Sequence, residues 1–517
     1  MASEAGLPES ENFKPAVFGP KAEILGLRKY MGVPSKVPDA VFDAVTYLMH
    51  FVDVDQAAWS LELVLEKVPC LKKSAGFNPG YLEAKTKGDF YPLNKDKLSE
   101  WETRILEIFE LIPFVVSFLK DEQRNIAKEA RQINNVPASF FFPRYQVFGP
   151  VAEKFYELGK YEVWFGPGKS PQYGGFHSVG ETLNSADGVG FMADIVRQDS
   201  LYPPRLITFI ERFFVEHCRG GRTLRENVRR TIFYLCNLVL AVTSSGDVYV
   251  VERGNISGKE LTLILNTLMA SAYYVAFAFS KGYVWSDLKF CAFGDNIASA
   301  TPGLNFTDFK NYMNRYGQDV TGRDGNWDCD LDFLSYEFFK HRGIWLPRTV
   351  NADKIYSAMR CPNSKKPQLK WAHIVGIRNQ VFTHTQLFEA CDRVCSLYAR
   401  KHPQVDKRIL LSRNELYRLW TGFEGCGEIT TIDAPPYLGP SRQVRAEAFL
   451  CNVMGLPLSV LDSTELLLRH LLRGNVSPRE IQYVVKGKKP KTKQEEIRLK
   501  GGGGSTEETG ATCTQSY

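Results

Sequence analysis

The sequence predicts an α+β fold, an antiparallel sheet flanked by helices, and three observations carry the prediction. Two hairpin patterns, residues 238–242 with 248–252 and residues 290–293 with 297–299, close on Gly- and Asp-containing turns. A third apolar run, Val189-Gly-Phe-Met-Ala-Asp194, has the length of a short buried strand. Helical material is supplied by residues 261–280, which carry no charge, and by a mainly helical pattern beyond about residue 350.

The chain has 517 residues, enough for about two to four subdomains around a shared core. With 44% hydrophobic and 24% charged residues it is of globular composition, and its net charge of +6 is too mild to argue for nucleic acid without clustering of the bases. Eleven cysteines include no Cys-x-x-Cys pair, and the closest two, Cys391 and Cys395, have no histidine at finger-like spacing. The expectation is a set of reduced thiols without structural zinc. The first residues lack the basic, apolar and small-residue succession of a secretory signal.

Taken in order, residues 1–90 mix short amphipathic segments with breaks at Pro34, Pro38, Pro79 and Gly80. A helical pattern over 98–128 runs through Trp101, Ile105, Ile108, Phe109 and Ile112, interrupted at Pro113. Between 131 and 190 the Gly, Pro and aromatic content, as in Phe140-Phe-Phe-Pro143, predicts irregular extended structure and loops. Pro203-Pro204 opens an amphipathic helix through Leu206, Phe209, Ile210, Phe213 and Phe214. The uncharged 261–280 segment is long enough to span a bilayer, but its polar residues are spread over several faces, and a buried core helix is the reading adopted. Leu387, Cys391, Val394, Cys395 and Tyr398 define one face of a later helix. Five lysines between Lys486 and Lys493 and a Gly-, Ser- and Thr-rich end predict a disordered tail.

Magnesium prefers hard oxygen ligands and keeps several waters, so a few carboxylates on neighbouring strands suffice to hold it. Asp194, ending a strand, and Asp295, in a hairpin turn beside Asn296, are the natural pair; either alone is also an ordinary strand-end or turn residue. Trp285-Ser-Asp287 is a rival turn without apolar runs close on both sides. Ser257 is placed to cap the helix that follows, and Gly258 to let the backbone bend close to a base pair. Asn266 lies one helical turn after Thr262 on the same face of an apolar helix; a buried amide needs a partner, which Asp199 and a ribose 2'-hydroxyl would supply. Lys120, Arg124, Lys128 and Arg131 would form one basic stripe on a helix, either a solvated face or a cradle for a triphosphate.

The order Lys-Asp-Glu-x-Arg with Lys128 and Arg131-x-Ile, then Asp194-x4-Asp199, Ser257-Gly-x3-Thr262-x3-Asn266-Thr, and Phe293-Gly-Asp295 resembles motifs F, A, B and C of the RNA-dependent RNA polymerases of positive-strand RNA viruses. Ser245-Gly-Asp-Val, the stretch Arg253-Gly-Asn-Ile-Ser-Gly258, a proline soon after Asp199 and the chain length look most like astroviruses. The resemblance covers about residues 120–340 and implies a right-hand polymerase of fingers, palm and thumb. An N-terminal extension would occupy 1–90, fingers 91–188 with motif F at 120–133, palm 189–345, helical thumb 346–485 and tail 486–517.

By the same resemblance Asp194 and Asp295 hold two Mg2+ or Mn2+ ions and, with Asn296, form the catalytic group. Asp199, Ser257, Gly258, Thr262 and Asn266 receive the nucleotide, Arg124, Lys128 and Arg131 its triphosphate, and Phe333, Leu334 and Ser335 grip the primer strand as motif E. For the motif D cation, Lys310 and Arg323 are both candidates. Implied partners are an RNA template and primer, nucleoside triphosphates and other viral replication proteins, with membranes reached only through them, in the host cytoplasm at replication sites. Asn296 departs from the second Asp usual in these polymerases, which keeps open a catalytically weakened RNA-binding relative beside a live enzyme. A reverse transcriptase or other palm polymerase is the further alternative.

Overall fold

Burial alternates along Val189–Ile195, with Phe191, Ala193 and Ile195 inside and Met192 and Asp194 half-exposed, as expected for a strand packed on one face only. In this computed structural model it is a central strand of an antiparallel four-stranded sheet, ordered Val320–Asn326, Val189–Ile195, Asn296–Ser299, Phe290–Phe293. The structure describes residues 2–410 except 6, 8, 11, 17–18, 29, 31–34, 69–70, 121, 127–129, 170–174, 186–187, 253, 342, 361–365 and 408–409. Lys128, the chain from 411 through the expected thumb, and the lysine-rich tail therefore lie outside the described residues.

The apolar face of the sheet packs under the helices Thr262–Ser280 and Phe306–Arg315. Phe191 stacks on Phe309 with ring centroids 5.6 Å apart, and Tyr274 lies 4.4 Å from Phe290. The Tyr274 hydroxyl finds both Ser299 Oγ and Thr301 Oγ1 at 2.7 Å, satisfying a polar group beneath the sheet. By length and composition the Thr262–Ser280 helix could cross a membrane, but Leu265, Leu268, Met269, Val275 and Phe277 are buried in the core between the sheet and the Asp39–Met49 helix. Enclosure on most sides explains why it is apolar nearly all round.

A second four-stranded sheet is ordered Gln132–Asn135, Phe114–Leu119, Val239–Val242, Val248–Val251. Its last two strands are the expected hairpin, closing on Gly246 in the left-handed region at φ 87°. Both sheets belong to a unit formed by Ala16–Gly168 and Thr182–Leu334. The other unit, which includes Met1–Pro15, Lys169–Glu181 and the chain from Ser335, contains the Tyr336–His341/Ile344–Thr349 hairpin and the helices Ala352–Arg360, Pro367–Gln380 and Thr385–Lys401. Leu387, Cys391, Val394, Cys395 and Tyr398 share its core with Trp371 and Ile374, as their spacing predicts. Cys391 and Cys395 are separate thiols, and burial pushes Cys395 up to about 12.

Three expectations are corrected. The helical pattern over 98–128 breaks up: the Lys87–Thr103 helix stops, a 3-10 turn spans Ile108–Leu111, and Phe114–Leu119 is a strand. Ile105, Ile108 and Phe109 are exposed, so they form no buried face to sustain a helix, whereas Val115 pairs with Ala241 inside the second sheet. Within 131–190, Ala138–Tyr161 is one long helix that contains Pro143 and Pro150. Phe140, Phe141, Phe142, Val147 and Phe148 are buried along it, and their packing overrides the local breakers. The described residues of 120–133 form no helix but an excursion between strands, with the Lys120 amide donating to the Arg131 carbonyl at 2.8 Å and Leu119 paired with Gln132.

One buried charge cluster joins three helices to the loop after Gly258. Arg144 Nε lies 3.0 Å from Glu260 Oε2 and its Nη2 lies 3.3 Å from Glu211, while Lys259 Nζ lies 2.8 Å from Glu211 Oε1. Arg144 Nη1 also donates to Thr231 Oγ1 at 3.2 Å. Burial opposes the Glu211 charge, yet Lys259 and Arg144 together hold its pKa below the usual value; for Glu260 burial wins over Arg144 and raises it. Removing one member strands its partners, so Arg144→Met is expected to lower stability by roughly 3–5 kcal/mol, measured by chemical denaturation. A loss below about 1 kcal/mol, the range of a surface pair, would show that the cluster is not a structural anchor.

Candidate active site

Register puts Asp194 on the open face of the first sheet, opposite Asn296 on one side and Thr321 on the other. The Ile195 amide donates to the Asp295 carbonyl at 2.9 Å, so the end of one strand and the turn of the next hairpin are locked together. Gly294 forms that turn at φ 62°, and its amide donates to Thr267 Oγ1 at 2.9 Å. Thr267 in turn donates to Leu263 O at 2.9 Å, tying the turn to the Thr262–Ser280 helix. Asp287 is not in a comparable turn: it ends a 3-10 helix and accepts from the Val284 amide at 2.9 Å.

Asn296 Nδ2 donates to Asp295 Oδ1 at 3.0 Å. The Asp295 side chain reaches solvent at the tip of the turn, but the surrounding protein displaces much of its water, and this raises its pKa. The Asp199 carboxylate pushes the same way; the turn's own backbone, Arg131 and the Asn296 amide pull back. Such crowding of like charge around hard oxygen donors fits a divalent cation, which would relieve it.

Asp199 follows a reversal at Arg197, whose φ of 53° is left-handed, and lies in the short helix Gln198–Leu201. Its backbone carbonyl accepts from the Asn255 amide at 2.6 Å. Tyr30, nearly enclosed, has its hydroxyl hydrogen-bonded to Asn134 Nδ2 at 3.3 Å; burial first and then the Asp199 charge raise its pKa. Asn255 Nδ2 donates to Asn266 Oδ1 at 2.8 Å, and Gln198 Nε2 donates to the Asn266 carbonyl at 2.9 Å. Asp199 and Asn266 are thus joined through a residue two places before Ser257.

Two readings of the Ser-Gly segment change. Ser257 does not cap the helix, which begins at Thr262 behind Leu261; its hydroxyl donates to Gln132 O and accepts from the Asn134 amide, both at 3.2 Å. Gly258, at φ 97°, is required because a Cβ there would lie 2.3 Å from the Asn134 carbonyl, so the close approach is to the neighbouring strand. Thr262 Oγ1 donates to Ile256 O and Lys259 O, at 3.2 and 3.1 Å, and closes the loop on itself.

The basic residues gather without a helix. Lys120 lies 2.8 Å and Arg131 3.6 Å from Glu122, and burial followed by the Arg131 charge lowers the Arg124 pKa. Arg131 also acts on Asp295, which connects this excursion to the Gly294-Asp295 turn. Phe333 is buried, Leu334 and Ser335 adopt left-handed backbones at φ 56° and 67°, and the Ser335 carbonyl accepts from Val350. Lys310 lies over the Phe306 ring, while Arg323 is held by Asp332 at 3.2 Å and the Asp330 carbonyl. Tyr30 and Gln198 lie outside the motifs quoted from the sequence, while Asn255, Lys259, Glu260 and Thr267 fall inside them without an assigned role. Only Lys259 and Glu260 carried a signal, as adjacent opposite charges leading into an apolar helix.

An antiparallel sheet covered by helices on one face, with carboxylates at adjoining strand ends on the other, has the arrangement of the palm of a template-directed polymerase. The family described as viral RNA-dependent RNA polymerase matches residues 56–399, and the chain belongs to it. Members of that family are RNA-directed RNA polymerases, which are nucleotidyltransferases. The Sicinivirus 3Dpol RNA-dependent RNA polymerase superposes with a TM-score of 0.64 over 81% of this chain and 94% of that one, at 16% identity, and shares the right-hand fold. The genome polyprotein of Zucchini yellow mosaic virus (strain Reunion Island) is 28% identical over 233 residues, and that of Bean common mosaic necrosis virus (strain NL-3) 26% over 239. Each match takes in 43% of this chain and 7% of the polyprotein.

Removing a like charge favours ionisation, so Asp199→Asn is expected to lower the Asp295 pKa in metal-free protein, and Arg131→Ala to raise it. Carboxyl carbon chemical shifts followed through a pH titration would report both; no movement in either variant would place the two groups outside electrostatic reach.

Proposed function

We propose that Asp194 and Asp295 are the metal-binding pair for RNA-templated nucleotidyl transfer, with Asn296 completing the catalytic turn. The reading is carried by the register of Asp194 against Asn296, which supports two carboxylates at one edge of an open sheet face. Bound there, two Mg2+ or Mn2+ ions would promote loss of the 3'-hydroxyl proton and offset the charge of the departing pyrophosphate. Asp199, Thr262 and Asn266 form the nucleotide-sugar pocket, and Ser257 and Gly258 set the loop that shapes it. Arg124, Lys128 and Arg131 receive the triphosphate, offsetting its charge as it enters. Phe333, Leu334 and Ser335 support the primer strand. An alanine at Asp295 is expected to abolish nucleotide incorporation with RNA affinity nearly unchanged, because it removes a metal ligand and no phosphate contact. Unimpaired primer extension by Asp295→Ala would overturn the metal-site reading.

The Asn296 contact to Asp295 favours a weakened but live site over a silent one, because the amide steadies the carboxylate without adding charge. An Asn296→Asp exchange adds that charge and is expected to lower the Mg2+ concentration needed for half-maximal extension on a homopolymer template, and to reduce any advantage of Mn2+. Extension absent with either residue, alongside intact RNA binding, would favour the silent RNA-binding relative.

The domain layout is read as an N-terminal extension over 1–90, fingers over 91–188, palm over 189–345, thumb over 346–485 and tail over 486–517. The astrovirus-like character rests on the sequence around Ser245 and Arg253–Gly258. The substrates are an RNA template with its primer and nucleoside triphosphates. The setting is the host cytoplasm, at replication sites that other viral proteins tether to membranes.

A further inference from the structure

The geometry points to Asn255 as the residue that determines which end of the Asn266 amide meets the nucleotide sugar; this rests on the reading of Asn266 as a sugar contact. An amide side chain can present either oxygen or nitrogen to a neighbour, and shape alone does not choose between them. Here a backbone carbonyl makes the choice. Asn255 is fully buried, and its Nδ2 lies 3.2 Å from Thr262 O and 2.8 Å from Asn266 Oδ1.

Thr262 O has only lone pairs to offer, so the group facing it must be the Asn255 NH2. That NH2 has a second hydrogen, directed at Asn266, and only the Asn266 oxygen can accept it. Turning both amides over would keep one hydrogen bond between them but set the Asn255 oxygen against the Thr262 carbonyl. Among the described residues the buried Asn255 oxygen has no hydrogen-bond partner, so none of them competes on that side with the Thr262 anchor. Asn255 is held from behind by the hydrogen bond that its backbone N–H donates to the Asp199 carbonyl, and the Asn266 backbone carbonyl by the Gln198 side chain.

The consequence is a relay of fixed polarity: Thr262 O sets Asn255, Asn255 sets Asn266, and Asn266 turns its own NH2 away from Asn255. A donor in that position is matched by the oxygen of a ribose 2'-hydroxyl and left unmatched by a 2'-hydrogen. Asn255 is therefore a positioning residue for sugar discrimination; the contact with the nucleotide is made by Asn266.

Single-nucleotide incorporation on one primer–template, comparing a nucleoside triphosphate with its 2'-deoxy form, tests this in the 517-residue chain. Asn255→Asp reverses the relay, because a carboxylate accepts from the Asn266 NH2 and leaves its oxygen towards the sugar. It is expected to lower the ratio of kcat/KM for ribo- over deoxynucleotide by about tenfold. The deoxynucleotide value should fall less than the ribonucleotide value, since the carboxylate set against the Thr262 carbonyl disturbs both. Asn255→Ala removes the anchor without reversing it and should lower the ratio less. Thermal unfolding and RNA affinity measured alongside identify a variant that is damaged overall.

Equal losses for both substrates in Asn255→Asp and Asn255→Ala, with Asn266→Ala still reducing the ratio, would overturn the relay while leaving the sugar pocket standing. An unchanged ratio in Asn266→Ala would overturn the sugar-contact reading, and the relay with it.

Discussion

The structure depends most on strand register. A slip of one residue between Val189–Ile195 and Asn296–Ser299 would turn Asp194 into the apolar layer beneath the sheet and bring Ala193 to the open face. The register is fixed from both faces. Below, Phe191, Ala193 and Ile195 are buried among Tyr274, Phe290 and Phe309. Beside the strand end, the Ile195 amide is bonded to the Asp295 carbonyl, and the turn carrying Asp295 is bonded to Thr267 of the underlying helix. The apolar core places the carboxylates by excluding every other arrangement of the strands.

The loop around Gly258 is held by a different kind of force. Its Lys259 and Glu260 side chains are drawn into the protein by Glu211 and Arg144, and its backbone lies against Asn134. Buried ions are costly unless mutually satisfied, which makes such a cluster a strong determinant of geometry even where its net stabilisation is small. Ser257, Gly258 and Thr262 each hold the loop: one bonds the adjacent strand, one permits its approach, and one closes the turn. The loop therefore enters the site as a preformed element, with Asn255 and Asn266 aligned behind it.

Much of this was legible in the sequence. The Val189 strand, both hairpins, the Pro204 helix and the buried Thr262–Ser280 helix follow from hydrophobic spacing and turn residues, which act within a few positions of one another. The Ala138–Tyr161 helix was hidden because its prolines and aromatics look like loop residues until the core that encloses them exists. The basic excursion between Lys120 and Arg131 was misread as a helix because spacing by three and four positions is a helix signal only when the chain is helical.

By itself the sequence determined the class of protein, since motif order and local spacing are properties of the chain. Only the tertiary structure decided what each polar group does. Ser257 bonds Gln132 and Asn134, more than a hundred positions earlier, and Asn255 bonds Asp199. Hydrogen bonds and ion pairs are short-ranged and directional, so their partners are set by which distant segments the core brings within about 3 Å.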